Sequence, residues 1–178
     1  MSFSHTEDAR VLVLGALPAD EPTLWRMLTY AASMGDGGDA EVGKAQADPY
    51  LRTYVEGWGR SGDLGVIARA DGADVGAAWL REGDGAGSPF KLGEPGWPEL
   101  ATAVAPGCRG RGIGGLMMRR LIQLAPGRFL GIVLSVREGN PAERFYAQLG
   151  FREERRIENR AGGRSLKMRL AFPATKDG

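Results

Sequence analysis

The chain has 178 residues, 43% hydrophobic and 25% charged, with a formal net charge of +1. That is the size and balance of one α/β domain with a real core, and no basic tract interleaved with aromatics speaks for nucleic acid. The single cysteine, Cys108, excludes an internal disulfide framework, and the single histidine, His5, argues against a His-based triad or a zinc centre; no metal is expected.

Charge is uneven along the chain. Residues 1–99 carry 8 basic and 16 acidic side chains, and residues 100–178 carry 15 and 6. No apolar run is long enough to span a membrane, and the N-terminus MSFSHTEDAR lacks the apolar stretch of a signal peptide, so no membrane partner and a cytoplasmic location are expected.

In chain order, residues 10–17 (RVLVLGAL) predict a first strand. Residues 18–22 prepare a helix, with Asp20 as its N-cap and Leu24, Trp25, Leu28 and Ala32 at helical spacing. Residues 33–39 (SMGDGGD) read as a flexible loop. A second helix is expected over 49–60, with Tyr50, Leu51, Tyr54, Val55 and Trp58 on one apolar face. A hairpin follows: strand 64–70, turn Asp71-Gly72, strand 74–81. Residues 82–97, with five glycines and two prolines, form a long loop of the kind that carries function.

The stretch 99–126 (ELATAVAPGCRGRGIGGLMMRRLIQLAP) organises the rest. Residues 100–104 suit a buried strand, 105–112 form a turn carrying Arg109 and Arg111, and from Ile113 the residues Ile113, Leu116, Met117, Leu121 and Leu124 mark one helix face. A strand, a cationic glycine-rich turn and a helix N-terminus make an anion site, because free N–H groups converge there and the helix dipole adds positive charge. Residues 129–136 predict another strand, 141–149 a helix, and 152–159 with 164–172 a terminal hairpin around residues 161–163. The reading is one domain over 1–178, with tails at 1–9 and 173–178 expected to be disordered.

Two ligands fit the anion site at the level of spacing. Gly110, Gly112 and Gly115 match the dinucleotide fingerprint, with Glu138 as the ribose-binding acid, which would make an NAD(P)-binding oxidoreductase. Among 28 glycines such a match is cheap, and residues 105–109 intervene where the fingerprint should follow its strand directly. The pattern Arg109-x-x-Gly112-x-Gly114, after a strand ending Ala103-Val104-Ala105-Pro106, instead resembles the acetyl-CoA pyrophosphate loop of the GNAT superfamily of N-acetyltransferases. A second run after the next strand, Asn140-Pro141-Ala142, Phe145-Tyr146 and Leu149-Gly150-Phe151, is similar to the other signature of that family.

The resemblance implies an α/β (α+β) GNAT fold: a central mixed, mostly antiparallel twisted sheet of about six or seven strands, flanked by about four helices, with strands 4 and 5 splayed. It implies acetyl-CoA as cofactor and CoA as product. The pyrophosphate would rest on the backbone of Gly110, Arg111, Gly112, Ile113, Gly114 and Gly115, with Arg109 closing the loop. The pantetheine arm would pair with Thr102, Ala103 and Val104, an N–H near Val104 polarising the thioester carbonyl. Asn140 would bond the arm, cap its helix, or do both. Tyr146 would hydrogen-bond or protonate the departing thiolate, against the alternative of a core aromatic beside Phe145 and Leu149.

An attacking amine is protonated at neutral pH and must lose a proton. Glu99 is the candidate base, with Glu82, Asp84 and Glu94 weaker ones, and Trp97, Trp58 and Tyr30 are candidate walls of the acceptor pocket. The expected reaction is direct acetyl transfer to a primary amine of a small molecule or peptide. No serine or cysteine sits beside an evident base, in keeping with the absence of a covalent enzyme intermediate. The acidic first half hints at a cationic acceptor. A non-catalytic acyl-CoA sensor on the same fold is the alternative. Homodimerisation is common in the family and has no sequence feature of its own here.

Overall fold

The computed structural model describes residues 10–83 and 92–173. The expected tail at 1–9, the tail expected at 173–178 apart from Pro173, and the part of the long loop that holds Asp84 lie outside the described residues.

Among the described residues, seven strands form one mixed sheet: β1 (Leu12–Gly15), β2 (Leu64–Ala70), β3 (Ala73–Arg81), β4 (Glu99–Val104), β5 (Gly131–Arg137), β6 (Arg152–Glu158) and β7 (Arg164–Ala171). Their order is β1-β2-β3-β4-β5-β7-β6, and every neighbouring pair is antiparallel except β4–β5. Five α-helices accompany them: α1 (Glu21–Ala31), α2 (Asp39–Ala47), α3 (Pro49–Val55), α4 (Ile113–Leu124) and α5 (Ala142–Gln148). The parallel pair needs a crossover, and α4 supplies it.

Strand alternation sends side chains to two cores. On one face, Ile132, Leu134 and Val136 of β5 and Leu166 and Met168 of β7 pack with Met117, Met118 and Leu121 of α4. On the other, Ile67, Ala77 and Trp79 pack under Leu24, Met27 and Leu28 of α1 and Val55 of α3. The Trp79 indole N–H donates to the Tyr54 carbonyl at 3.0 Å, which fixes α3 on the sheet. A buried ion pair holds the end of the same helix: Arg81 reaches both carboxylate oxygens of Asp63 at 2.9 and 2.7 Å and the Glu56 carbonyl at 2.9 Å. Burial alone pushes the Asp63 carboxyl up, but the Arg81 guanidinium and the N–H groups of Gly59 and Arg60 hold it below its ordinary value.

Four expectations change. Among the described residues there are five α-helices where about four were expected, because α2 (DAEVGKAQA) buries only Ala45 and carries no apolar stripe to read. The helix expected over 49–60 ends at Val55, since Gly57 and Gly59 take positive φ (66° and 107°) and turn the chain away. Asp20 stands at the expected N-cap position of α1 but makes no side-chain cap to it; it accepts from the Leu17 N–H at 2.7 Å and closes a 3₁₀ turn ahead of the helix. On α4, Leu116 is 41% exposed and Met118 takes its expected place in the core.

Strands β4 and β5 share one register pair, Glu99 with Val133, where the Val133 N–H donates to the Pro98 carbonyl at 3.0 Å. Beyond it β4 pairs only with β3, through Val104. The Ala105 N–H donates to the Val75 carbonyl at 2.8 Å, so alternation turns the N–H groups of Val104 and Thr102 the other way, into the gap.

Candidate active site

The turn after β4 is shaped by its glycines. Gly110 and Gly112 take φ of 74° and 76°, the left-handed region that a side chain strains, and a Cβ placed on either would meet nothing within 4 Å. The strain therefore comes from the backbone, and the space above it is open. Gly112 is the N-cap of α4, and the first bond into the helix runs from the Leu116 N–H to the Gly112 carbonyl at 3.1 Å. The N–H groups of Ile113, Gly114 and Gly115 are left without intrahelical acceptors and face an anion-ready opening. Arg109 folds back, its Nε donating to the Val104 carbonyl at 3.2 Å, and so closes the loop on the end of β4. Arg111 is exposed.

A cavity of about 390 Å³ passes through the splay. It reaches Tyr146 and Asn140 on the α5 side, Thr102 and Glu99 along β4, and Tyr50 and Tyr54 of α3 on the other side of the sheet. Tyr146 sits against Phe145 and Phe151, at ring separations of 5.3 and 5.8 Å. Its hydroxyl makes no protein hydrogen bond among the described residues, and burial pushes its pKa up to about 12. It is a neutral donor over the working pH range. The Asn140 side-chain oxygen accepts from the Ala142 N–H at 2.8 Å just ahead of α5, whose N-cap position is held by Pro141, and Asn140 also lines the cavity.

Glu99 is buried at the point where the strands part. Its Oε1 accepts from the Tyr54 hydroxyl at 2.5 Å, and Oε2 accepts from the Leu92 N–H at 3.0 Å. The Tyr50 and Tyr54 hydroxyls lie 2.8 Å apart. Desolvation first, and the Glu99 charge second, raise both phenols, Tyr54 well above the usual range, so they remain protonated donors beside the carboxylate. The row Glu99–Tyr54–Tyr50 is a continuous hydrogen-bonded wall.

The structure gathers Glu99, Thr102, Asn140 and Tyr146 around one cavity; Arg109 and residues 110–115 lie past the end of β4, outside its lining, with Ala103 and Val104 between. The weaker bases are engaged elsewhere: Glu82 accepts from the Gly96 N–H at 2.6 Å, and Glu94 pairs with Arg169. The expected pocket walls are displaced too. Tyr30 donates to the Asp36 carbonyl at 2.9 Å, Trp58 belongs to the core, and Trp97 lies 3.8 Å beneath the Arg169 guanidinium. Tyr50, Tyr54, Arg137 and Arg160 line the cavity instead. The two tyrosines looked like core because a phenol is apolar except at its tip; four-residue spacing was the signal that both tips share one helix face. Of the acidic side chains in residues 1–99, only Glu99 lines the cavity among the described residues, so the charge bias of the first half is not concentrated here.

The family model for the acetyltransferase (GNAT) domain matches residues 61–153, more than half of the chain. The chain belongs to the GNAT acetyltransferase family. Among solved structures it is similar to the ribosomal-protein-alanine N-acetyltransferase from Brucella melitensis, with 23% identity and a TM-score of 0.64 over 90% of this chain and 99% of that one. It is also similar to yncA, a putative acetyltransferase from Salmonella typhimurium solved with acetyl-CoA (18%, 0.63, 94% and 96%). A third is the aminoglycoside acetyltransferase AAC(6')-Ib with ribostamycin and coenzyme A (20%, 0.62, 94% and 98%). No curated protein matches the sequence. The expected GNAT fold is the observed one, including the splay. Its mostly antiparallel sheet is not the parallel sheet on which the dinucleotide fingerprint operates.

Proposed function

We propose that the chain is an acetyl-CoA-dependent N-acetyltransferase acting on a primary amine by direct attack. The observation that supports it most is the cavity through the β4–β5 gap, which brings to one space, beside an open strand edge, a buried carboxylate and a phenol with no hydrogen-bond partner among the described residues. The chain's residues fit the cofactor: the positive-φ turn, the free N–H groups of α4 and Arg109 suit a pyrophosphate, and the N–H groups of Thr102 and Val104 suit an amide-bearing arm. When bound, acetyl-CoA supplies an acetyl group activated as a thioester and leaves as the free thiol.

The remaining work falls to side chains. Glu99 takes a proton from the incoming ammonium, directly or through a water in the cavity, while Tyr54 and the Leu92 N–H hold its carboxylate in place. The Val104 N–H is a fixed donor for a carbonyl oxygen in the gap. Tyr146 would take the part of donor to the departing sulfur. A thiol's ordinary pKa is about 8.5, well below the Tyr146 value of about 12. Complete proton transfer from the phenol is therefore uphill, so its contribution would be a hydrogen bond to the departing thiolate, which becomes the thiol by taking up the second proton that the attacking nitrogen sheds as the amide forms. Titration with acetyl-CoA, CoA and NAD in parallel tests the cofactor: micromolar acetyl-CoA affinity with no saturable NAD binding is the expected result, and NAD binding without CoA binding overturns the reading. Lost thiol release in Tyr146→Phe and Glu99→Gln with acetyl-CoA affinity kept distinguishes an enzyme from a sensor.

A further inference from the structure

The mouth of the cavity on the α3 side carries two arginines, Arg137 and Arg160, the second ion-paired with Asp48. Among the described residues its charged lining side chains are Glu99, Arg137 and Arg160. Arg137 ends β5, exposed, and no ion pair engages it among the described residues. Arg160 stands on the turn between β6 and β7, with its guanidinium 4.3 Å over the Tyr50 ring and one terminal nitrogen donating to Asp48 at 2.9 Å. The planar fork keeps its other donors available. The turn itself is braced: the Asn159 side-chain oxygen accepts from the Ala161 and Gly163 N–H groups at 3.0 and 3.1 Å, and its nitrogen donates to the Ser165 hydroxyl at 3.2 Å. A shallower hollow continues outward past Arg137 and Arg164, where the one acidic lining residue, Glu138, is paired with Arg156 at 3.1 Å.

One buried carboxylate at the reacting end and two guanidiniums at the mouth set a sign pattern for the ligand. A polycation would place its further ammonium groups against Arg137 and Arg160. An amine carrying a carboxylate of its own meets opposite charge at both ends, and guanidinium forks bind carboxylates bidentately. The cavity volume of about 390 Å³ suits a small molecule. Resting on the acetyl-transfer reading above, we propose that the acceptor is a small carboxylate-bearing amine of the amino-acid type, with Glu99 receiving its ammonium and Arg137 and Arg160 its carboxylate. This replaces the cationic acceptor suggested by the charge of the first half.

The test is thiol release from acetyl-CoA by the full chain, with free amino acids and small ω-amino acids, their carboxamides, spermidine and ribostamycin as acceptors. The expected result is turnover of at least one amino acid, with its carboxamide poorer in kcat/KM by on the order of 10- to 100-fold. Arg137→Gln and Arg160→Gln should each compress that acid-to-amide ratio toward one. The ratio is internal to each variant, so partial loss of folded protein cannot produce the compression. Preference for spermidine, ribostamycin or the carboxamides, or a ratio that neither variant moves, overturns the proposal. So does acetyl-CoA binding with no amino acid turned over, which leaves the cofactor reading standing. Absence of acetyl-CoA binding overturns the reading itself and the proposal with it.

Discussion

The loop proposed to hold the cofactor and the wall proposed to hold the acceptor are built from different parts of the amino acid. The first is backbone: two positive-φ glycines, the N–H groups at the start of α4, and the unpaired edge of β4, all within one continuous stretch. The second is side chain. Tyr50 and Tyr54 of α3, Glu99, Arg137, and Arg160 of the β6–β7 turn come from distant segments and meet only in the fold. The family match over 61–153 contains the whole of the first, while Tyr50, Tyr54 and Arg160 of the second lie outside it. A shared chemistry on main-chain atoms tolerates almost any side chains around it. Specificity rests on groups that can be exchanged without disturbing the loop.

The largest effects should come where the two regions meet. Glu99→Gln should lower kcat by roughly 10²- to 10⁴-fold and Tyr146→Phe, which removes one donor to the departing thiolate, by roughly 10²- to 10³-fold, each with acetyl-CoA affinity by titration unchanged. A parallel loss of affinity would show that the two regions are not separable.

Arg81→Met strikes the scaffold of the acceptor wall, because Arg81 pins the Glu56 carbonyl at the end of α3 and pairs with buried Asp63. Leaving Asp63 with only the Gly59 and Arg60 N–H groups should cost about 3 kcal/mol, read by urea unfolding. The pH dependence follows from the lowered Asp63 pKa. The pair's contribution is complete above the unfolded carboxyl value near about 3.9, and it is lost as pH falls through the lower folded value. The wild-type melting temperature should therefore drop below about pH 4 more steeply than that of Arg81→Met, whose Asp63 has already lost its stabilising partner. Parallel acid profiles would count against the assignment.

Gly112→Glu strikes the loop. A side chain forced into φ of 76°, with a negative charge where the pyrophosphate would rest, should weaken acetyl-CoA binding by on the order of 100-fold. Circular dichroism should show an intact fold. Unchanged affinity would remove the backbone half of the comparison. The smallest effect is expected at Leu116, exposed on α4: Leu116→Ser should stay within about 0.5 kcal/mol, against about 2–5 kcal/mol for Met117→Ala one residue on.

How much was readable follows the same division. The hairpin β2–β3 could be placed to within a residue, because alternation and an Asp71-Gly72 turn are local signals. So could α4, whose glycine start and Pro126-Gly127 stop bracket an apolar stripe; its one misassigned residue, Leu116, sits at the stripe's edge, where periodicity cannot tell half-buried from exposed. The α2 helix was illegible, having almost no apolar face to announce it. Within the candidate site, Arg109 and residues 110–115 are readable as a cationic glycine turn ahead of a helix, while Asn140 and Tyr146 are readable only through the resemblance to the GNAT motifs. Tyr50, Tyr54, Arg137 and Arg160 are readable as site residues by neither route, because nothing in a linear string says which distant side chains converge. Covalent connectivity and steric limits on φ act over a few residues and are written in order along the chain. Which hydroxyl meets Glu99, and which guanidinium crosses to Asp48 from 112 positions away, is settled only when burying the two apolar faces of the sheet forces those segments together.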